Sequence, residues 1–291
     1  MRKTRRGYRI SRKNSIIADY RRKARYFYYS LIFFVLSISK PYHRFYRKAL
    51  PGVDQGYNST AYLADHMYAE RPEMYIRSFD LIQHDICHLF EYIEPDDQNL
   101  ATYSMKIYDL YVRVCLEVEA NFKAIFRENE YRRNPVKLTI EDYFKINKTH
   151  HLSGYKITFP IWRGDKATYT SFAEWDDDEY KPLTWYQVYN KCKHNRYEFM
   201  PEVNFGNMLN AFAGLFALLS AQFGHETYSP GSILLSLSLG DDSYYKGEFG
   251  IGDYLQVQYP DDWTEDELYD FSWSVLKTQE ERFQKFDYDS I

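Results

Sequence analysis

A helical segment near the middle of the chain, residues 185–196, concentrates side chains that could act on a phosphate ester. Asn190 and His194 lie one helical turn apart, and Lys193 and Arg196 add two positive charges. A histidine here could act as a general acid or base, an amide could orient it, and the cations could bind phosphate. The opposite face forms an apolar stripe: Trp185, Val188, Tyr189 and Cys192. A solvated basic face with a locally bonded histidine is the alternative interpretation.

Two histidine pairs elsewhere raise the question of a metal site. His84 and His88 have the helical spacing of zinc metalloproteases, but Asp85 stands where those enzymes carry glutamate, and no third ligand is evident. We therefore expect a buried, helix-packed histidine pair. His150 and His151 are adjacent, so regular structure cannot direct both at one ion. No P-loop, dinucleotide or serine-nucleophile signature is present, and we predict neither a metal nor a cofactor.

The composition is that of a globular protein with many aromatic residues. Of 291 residues, 45% are hydrophobic and 19% are aromatic, enough for a sizeable core. The three cysteines, Cys87, Cys115 and Cys192, show no CxxC spacing. This pattern indicates a reducing compartment, so we expect a cytoplasmic protein without a disulfide framework.

Charge is distributed unevenly along the chain. Residues 1–48 contain 15 Lys or Arg and one acidic residue, Asp19, whereas residues 241–291 contain 14 acidic and four basic residues. A basic extension on an acidic body predicts contact with nucleic acid, with anionic lipid, or with the acidic surface of another copy.

The basic N-terminal part is predicted to be an extension, residues 1–56, that ends in a Pro- and Gly-containing linker. Its apolar run, residues 26–39, has 14 residues, fewer than the roughly 20 that span a bilayer. A buried or interfacial helix is the first interpretation of this run. A membrane anchor formed by residues 21–39 is the second, and a cleavable export signal is the third.

The remaining body, residues 57–291, is predicted to be a helical bundle that begins with two long antiparallel helices. Apolar residues at intervals of three and four predict a helix from about 73 to 92, and another that starts after 96–99 and ends near Arg127. A third helix is expected over 184–195, and a strongly apolar core helix over 201–223.

Small β elements complete the predicted fold. Residues 154–161 and 167–172 predict a hairpin inserted between helices, within about 150–175. Strands are expected at 233–239 and 254–259, and a capping box at Thr264 predicts a last helix. The fold class is therefore mainly α, with small hairpin insertions and a short β-containing, acidic C-terminal region.

The segment around His194 resembles the Arg-Asn-x-x-x-His element of HEPN-like domains. Asn190 and His194 match the family's Asn and His, Cys192 falls where several members carry Cys, and Tyr189 replaces the Arg. Many HEPN-like proteins are metal-independent ribonucleases of toxin and phage-defence systems, and others only bind. The resemblance covers these residues and, as helical architecture, residues 73–223.

The resemblance implies roles for four residues and for a second copy of the chain. His194 would be the acid or base, Asn190 would orient it or the phosphate, and Lys193 or Arg196 would offset developing charge. HEPN-like ribonucleases commonly assemble the site across a homodimer. Two other hypotheses remain open: a non-catalytic helical interaction module, in which Asn190 and His194 form a structural hydrogen-bond network, and a membrane-associated protein anchored by residues 21–39.

Overall fold

The computed structural model describes residues 38–51, 57–228 and 248–291. Within these ranges the protein is mainly helical with a small antiparallel sheet, as predicted. The helices are α1 Tyr57–Thr60, α2 Pro72–Leu89, α3 Met105–Glu128, α4 Ile140–His150, α5 Thr184–His194, α6 Arg196–Phe199, α7 Phe205–Phe223 and α8 Trp273–Leu276. The strands are β1 Lys156–Thr158, β2 Thr168–Tyr169, β3 Glu248–Phe249 and β4 Gln256–Gln258.

Helices α2 and α3 correspond to the two predicted long helices and pack against each other. The first ends at Leu89, six residues before Pro95. The second begins later than predicted because residues 97–99 form a separate 3₁₀ turn, capped by the side chain of Asp96. The cap of α3 is Ser104, whose hydroxyl accepts the amide of Ile107 at 3.2 Å.

Helix α7 lies at the centre of the core and packs against α2, α3 and α5. Asn204 caps it by accepting the amide of Asn207 at 3.0 Å, and nearly every later residue is buried. Gly224 ends it with a φ of +59°, a left-handed conformation that favours glycine. Among the described residues, no helix is long and apolar enough to cross a bilayer.

The sheet joins the predicted hairpin to the C-terminal region. Its strand order is β2-β1-β4-β3, and every neighbouring pair is antiparallel. Ile157 pairs with Tyr169 on one side and with Val257 on the other. The hairpin is therefore half of a four-stranded sheet, and β4 lies within the strand predicted at 254–259. The strand predicted at 233–239 lies outside the described residues.

The prediction of a last helix that starts at Thr264 is wrong. The capping box between Thr264 and Glu267 is present, but it caps only a 3₁₀ turn, Glu265–Glu267. At Leu268 the backbone becomes extended, and the next residue, Tyr269, bridges to Ala49. Tertiary pairing thus ends an element whose local signal favours a helix.

Residues 38–51 are part of the folded body. Ile38 and Ala49 both bridge to Tyr269, and Tyr42 bridges to Gln284. Phe45 is fully buried. The predicted extension, 1–56, includes this segment, which instead packs between α3, α7 and the C-terminal region. Residues 1–37, and with them most of the predicted anchor at 21–39, lie outside the described residues.

Candidate functional site

The predicted apolar stripe fixes α5 in the core. Its four residues, Trp185, Val188, Tyr189 and Cys192, are all buried. The indole of Trp185 donates to the carbonyl of Ser171 at 2.8 Å, and the hydroxyl of Tyr111 donates to the carbonyl of Trp185. Side chains on the outer face of α5 therefore project from a helix held by packing and by hydrogen bonds.

Asn190 and His194 lie on this outer face. Asn190 is half-buried and His194 is exposed. Neither side chain forms a hydrogen bond or ion pair with any other residue that the structure describes. Because they are one turn apart on a fixed helix, one ligand could contact both.

Lys193 lies beside them but is held by two contacts within the chain. Its ammonium nitrogen is 3.2 Å from Oε1 of Glu119 on α3, and 4.1 Å from the ring centroid of Tyr189. Tyr189 thus supports the ammonium of Lys193, which lies one helical turn further along α5. The charge is present at the site, with a carboxylate as its counter-ion.

The carboxylate of Glu119 accepts hydrogen bonds from side chains on two helices, α3 and α5. Its Oε1 accepts the hydroxyl of Tyr186 at 2.9 Å as well as Lys193, and its Oε2 accepts Lys123 at 3.2 Å. Burial acts to raise the pKa of Glu119, but these donors and the nearby charges hold it below its ordinary value. Burial, and then the charge of Glu119, raise the pKa of Tyr189, so its hydroxyl stays neutral.

Arg196 belongs to the next element, α6. Its guanidinium carbon lies 5.7 Å from the ring centroid of Tyr108 and 5.1 Å from that of Tyr197, both within cation–π range. Asn195 caps α6 by accepting the amide of Glu198 at 3.4 Å. The structure therefore brings all four predicted site residues to one end of α5. Asn190 and His194 have no hydrogen-bond partner in the part of the chain that the structure describes, Lys193 is ion-paired, and Arg196 rests on aromatic rings.

The expectation of a buried His84–His88 pair is wrong, because both residues are exposed on α2. The buried face of α2 carries its apolar residues, which leaves the histidines on the outside. Asp85 pairs with Arg113, and Nδ1 of His88 lies 3.2 Å from Glu91. Within residues 38–51, 57–228 and 248–291, no group of three or more His, Cys, Asp or Glu could hold a metal ion.

His150 and His151 are adjacent in the chain, but their imidazoles have different surroundings and different partners. His150 is buried, its Nε2 lies 3.1 Å from the carbonyl of Arg44, and burial lowers its pKa to about 3. The ring nitrogens of His151 lie 3.0 Å from Asp262 and 2.9 Å from Glu267. Both imidazoles therefore have structural partners.

Glu119 is the residue of this site that the sequence analysis missed. The sequence contains one local signal, the i,i+4 pair of Glu119 and Lys123 on α3. The partners that matter, Tyr186 and Lys193, lie on α5 and are more than 60 residues away along the chain. Only the packing of α3 against α5 brings them together.

Comparison with protein-family models, with curated proteins and with solved structures finds no match to this chain.

Proposed function

We propose that this chain is a HEPN-like protein that binds RNA through the outer face of α5. The carrying observation is that Asn190 and His194 have no hydrogen-bond partner among the described residues, although they project from a firmly packed helix. Polar side chains with a structural role are normally satisfied within the fold. A solvent-accessible amide and imidazole one turn apart, with no hydrogen-bond partner among the described residues, instead suit an external ligand with acceptor and donor oxygens, such as a ribose-phosphate backbone.

The same observation counts against the structural-network hypothesis. In that hypothesis, Asn190 and His194 bond to neighbours and stabilise the helix, so His194→Ala lowers stability. An exposed histidine without an internal partner contributes little to folding, and we expect His194→Ala to change the free energy of unfolding by less than about 0.5 kcal/mol.

Cleavage is a second candidate activity. In favour of it, His194 is exposed and has no hydrogen-bond partner among the described residues, so a ribose 2′-hydroxyl or a leaving oxygen could approach its ring nitrogens, where it would act as the acid or base. Asn190 would orient the phosphate, and Arg196 would offset developing charge. A second copy of the chain would complete the site in a homodimer, and a cytoplasmic location would give it access to RNA.

The proposal is tested by binding of a labelled single-stranded RNA to the wild type, Asn190→Ala and His194→Ala. Each variant removes a hydrogen bond worth about 0.5–1.5 kcal/mol, so affinity should fall about 2- to 12-fold. His66→Ala is the matched control, because the His66 side chain is 84% exposed and lies outside α5. Equal affinity of all four proteins for RNA, or no binding to RNA at all, would refute the proposal that Asn190 and His194 bind RNA.

Cleavage is assayed separately, with purified protein in EDTA. Products that appear with the wild type and His66→Ala but not with His194→Ala would support a metal-independent ribonuclease. Intact RNA in every reaction would refute the cleavage candidate. Light scattering would detect a homodimer. A monomeric mass both with and without RNA would refute the proposal that two copies of the chain form the site.

A further inference from the structure

Lys193 supplies a positive charge next to the position where the family's arginine would stand. Its ammonium packs over the ring of Tyr189 at 4.1 Å and pairs with Glu119 at 3.2 Å. The side chain nevertheless keeps 43% of its surface exposed. An ammonium has three N–H donors, and this exposure lets the ammonium of Lys193 reach a ligand phosphate from the solvent side.

Glu119 does not depend on Lys193 for its hydrogen bonds. The hydroxyl of Tyr186 at 2.9 Å and the ammonium of Lys123 at 3.2 Å would remain if Lys193 turned away. The Glu119 side chain is only 15% exposed, so it cannot follow Lys193 far towards solvent. Lys193 can therefore exchange a carboxylate partner for a phosphate partner without leaving a buried charge unpaired.

We infer that Glu119 is a positioning residue that holds Lys193 against Tyr189 and competes with ligand phosphate for its ammonium. Glu119 thereby sets how strongly the outer face of α5 binds the phosphodiester backbone of single-stranded RNA. The inference rests on the proposed function for the identity of the ligand. The competition itself applies to any polyphosphate that reaches Lys193.

The test removes the competing charge and leaves the shape of the side chain. Glu119→Gln can still accept the Tyr186 hydroxyl, but it no longer neutralises Lys193. Binding of a fluorescein-labelled 20-nucleotide oligouridylate is measured by anisotropy over a range of NaCl concentrations. We expect about 3- to 10-fold tighter binding at low salt, and a log–log salt slope steeper by about 0.7, the value for one more phosphate contact on a single strand.

Two controls separate this effect from a general change in net charge. Glu117→Gln on the same helix removes the same charge, and Glu117 has no side-chain ion pair among the described residues. Glu117→Gln should raise the affinity for RNA by less than half as much as Glu119→Gln does. In a Lys193→Ala background, Glu119→Gln should add no more than Glu117→Gln does. An equal gain from both variants, or a gain that survives Lys193→Ala, would overturn the inference.

A second variant covers the case in which Glu119→Gln does not fold, as judged by thermal unfolding. Glu119→Asp keeps the charge but withdraws the carboxylate from Lys193. It should also raise affinity, and only when Lys193 is present. Unchanged affinity of a folded Glu119→Asp protein would contradict the competition.

A non-RNA probe distinguishes failure of the inference from failure of the proposed function. The same proteins are titrated with sodium tripolyphosphate in a calorimeter. If tripolyphosphate binds with the expected dependence on Glu119 and Lys193 while RNA does not bind, the RNA function fails and the inference stands. If RNA binding depends on His194 but Glu119→Gln behaves like Glu117→Gln, the inference alone fails. If neither probe binds the wild type or Glu119→Gln, both fail.

Discussion

The buried ion pair between Arg44 and Glu128 should be the strongest single tie between residues 38–51 and the helical body. Arg44 is fully buried, and its Nε donates to Oε1 of Glu128 at 2.7 Å. Its two other nitrogens donate to Gln222 at 2.9 Å and to the carbonyl of Glu70 at 3.1 Å. The guanidinium carbon also lies 4.5 Å from the ring centroid of Tyr75.

Arg44→Met is the perturbation that tests this tie. Methionine fits the aromatic surroundings but leaves the carboxylate of Glu128, 11% exposed, without its closest cation. It also leaves the acceptors on Gln222 and Glu70 unpaired. Breaking a buried pair in this way costs about 3–5 kcal/mol. At about 2 °C per kcal/mol for a chain of this size, the melting temperature should fall by about 6–10 °C.

Equilibrium urea unfolding measures the loss of free energy and thermal unfolding measures the fall in melting temperature, with Arg132→Met as the control in both. Arg132 also pairs with an aspartate, Asp289, but at 3.6 Å and with 93% of its side chain exposed. An exposed pair contributes less than about 1 kcal/mol, so the control should stay close to the wild type. If Arg44→Met lost no more stability than Arg132→Met, the placement of residues 38–51 within the core would be refuted.

Two further predictions concern buried groups. Because His150 has a folded-state pKa of about 3, below its unfolded value, its contribution to stability is present above pH 6.5 and is lost as the pH falls towards 3. As the pH falls, this residue should lower the free energy of unfolding of the wild type by up to about 1.4 kcal/mol per pH unit, and His150→Gln should show a shallower dependence. If the urea midpoints of the two proteins ran parallel between pH 7 and 5, the prediction would be contradicted. Gly224→Ala should destabilise by about 1–2 kcal/mol, since φ is +59° and a Cβ would lie 2.9 Å from the ring of Tyr46. An unchanged melting temperature would show that the end of α7 adapts.

Periodic features of the sequence predicted the main elements because burial imposes them locally. The stripe that begins at Trp185 recurs at intervals of three and four, and the structure buries all of it. The alternation around Ile157 predicted β1 for the same reason. Thr264 shows the limit, because its capping box is real, yet pairing of Tyr269 with Ala49 ends the helix after one turn.

Tertiary partners could not be predicted in this way. Nothing local distinguishes Arg44 from other basic residues of the N-terminal part, and its burial depends on Glu128, 84 residues further along the chain. The same holds for the pairing of Lys193 with Glu119. In both cases the sequence showed a cation, and only the fold showed that a carboxylate already holds it.

These pairings change what the charge of the chain can do. Of the 15 basic residues in 1–48, Arg44 and Arg47 are buried in the described structure and cannot contact a nucleic acid. On α5, Lys191 is paired with Glu202 at 2.9 Å and Lys193 with Glu119. A polyanion that contacts these two lysines must therefore displace carboxylates, whereas Arg196 on α6 rests on aromatic rings and has no ion pair among the described residues. If α5 binds a ligand as proposed, it should discriminate between ligands through Asn190 and His194, because these side chains have no internal hydrogen-bond partner among the described residues.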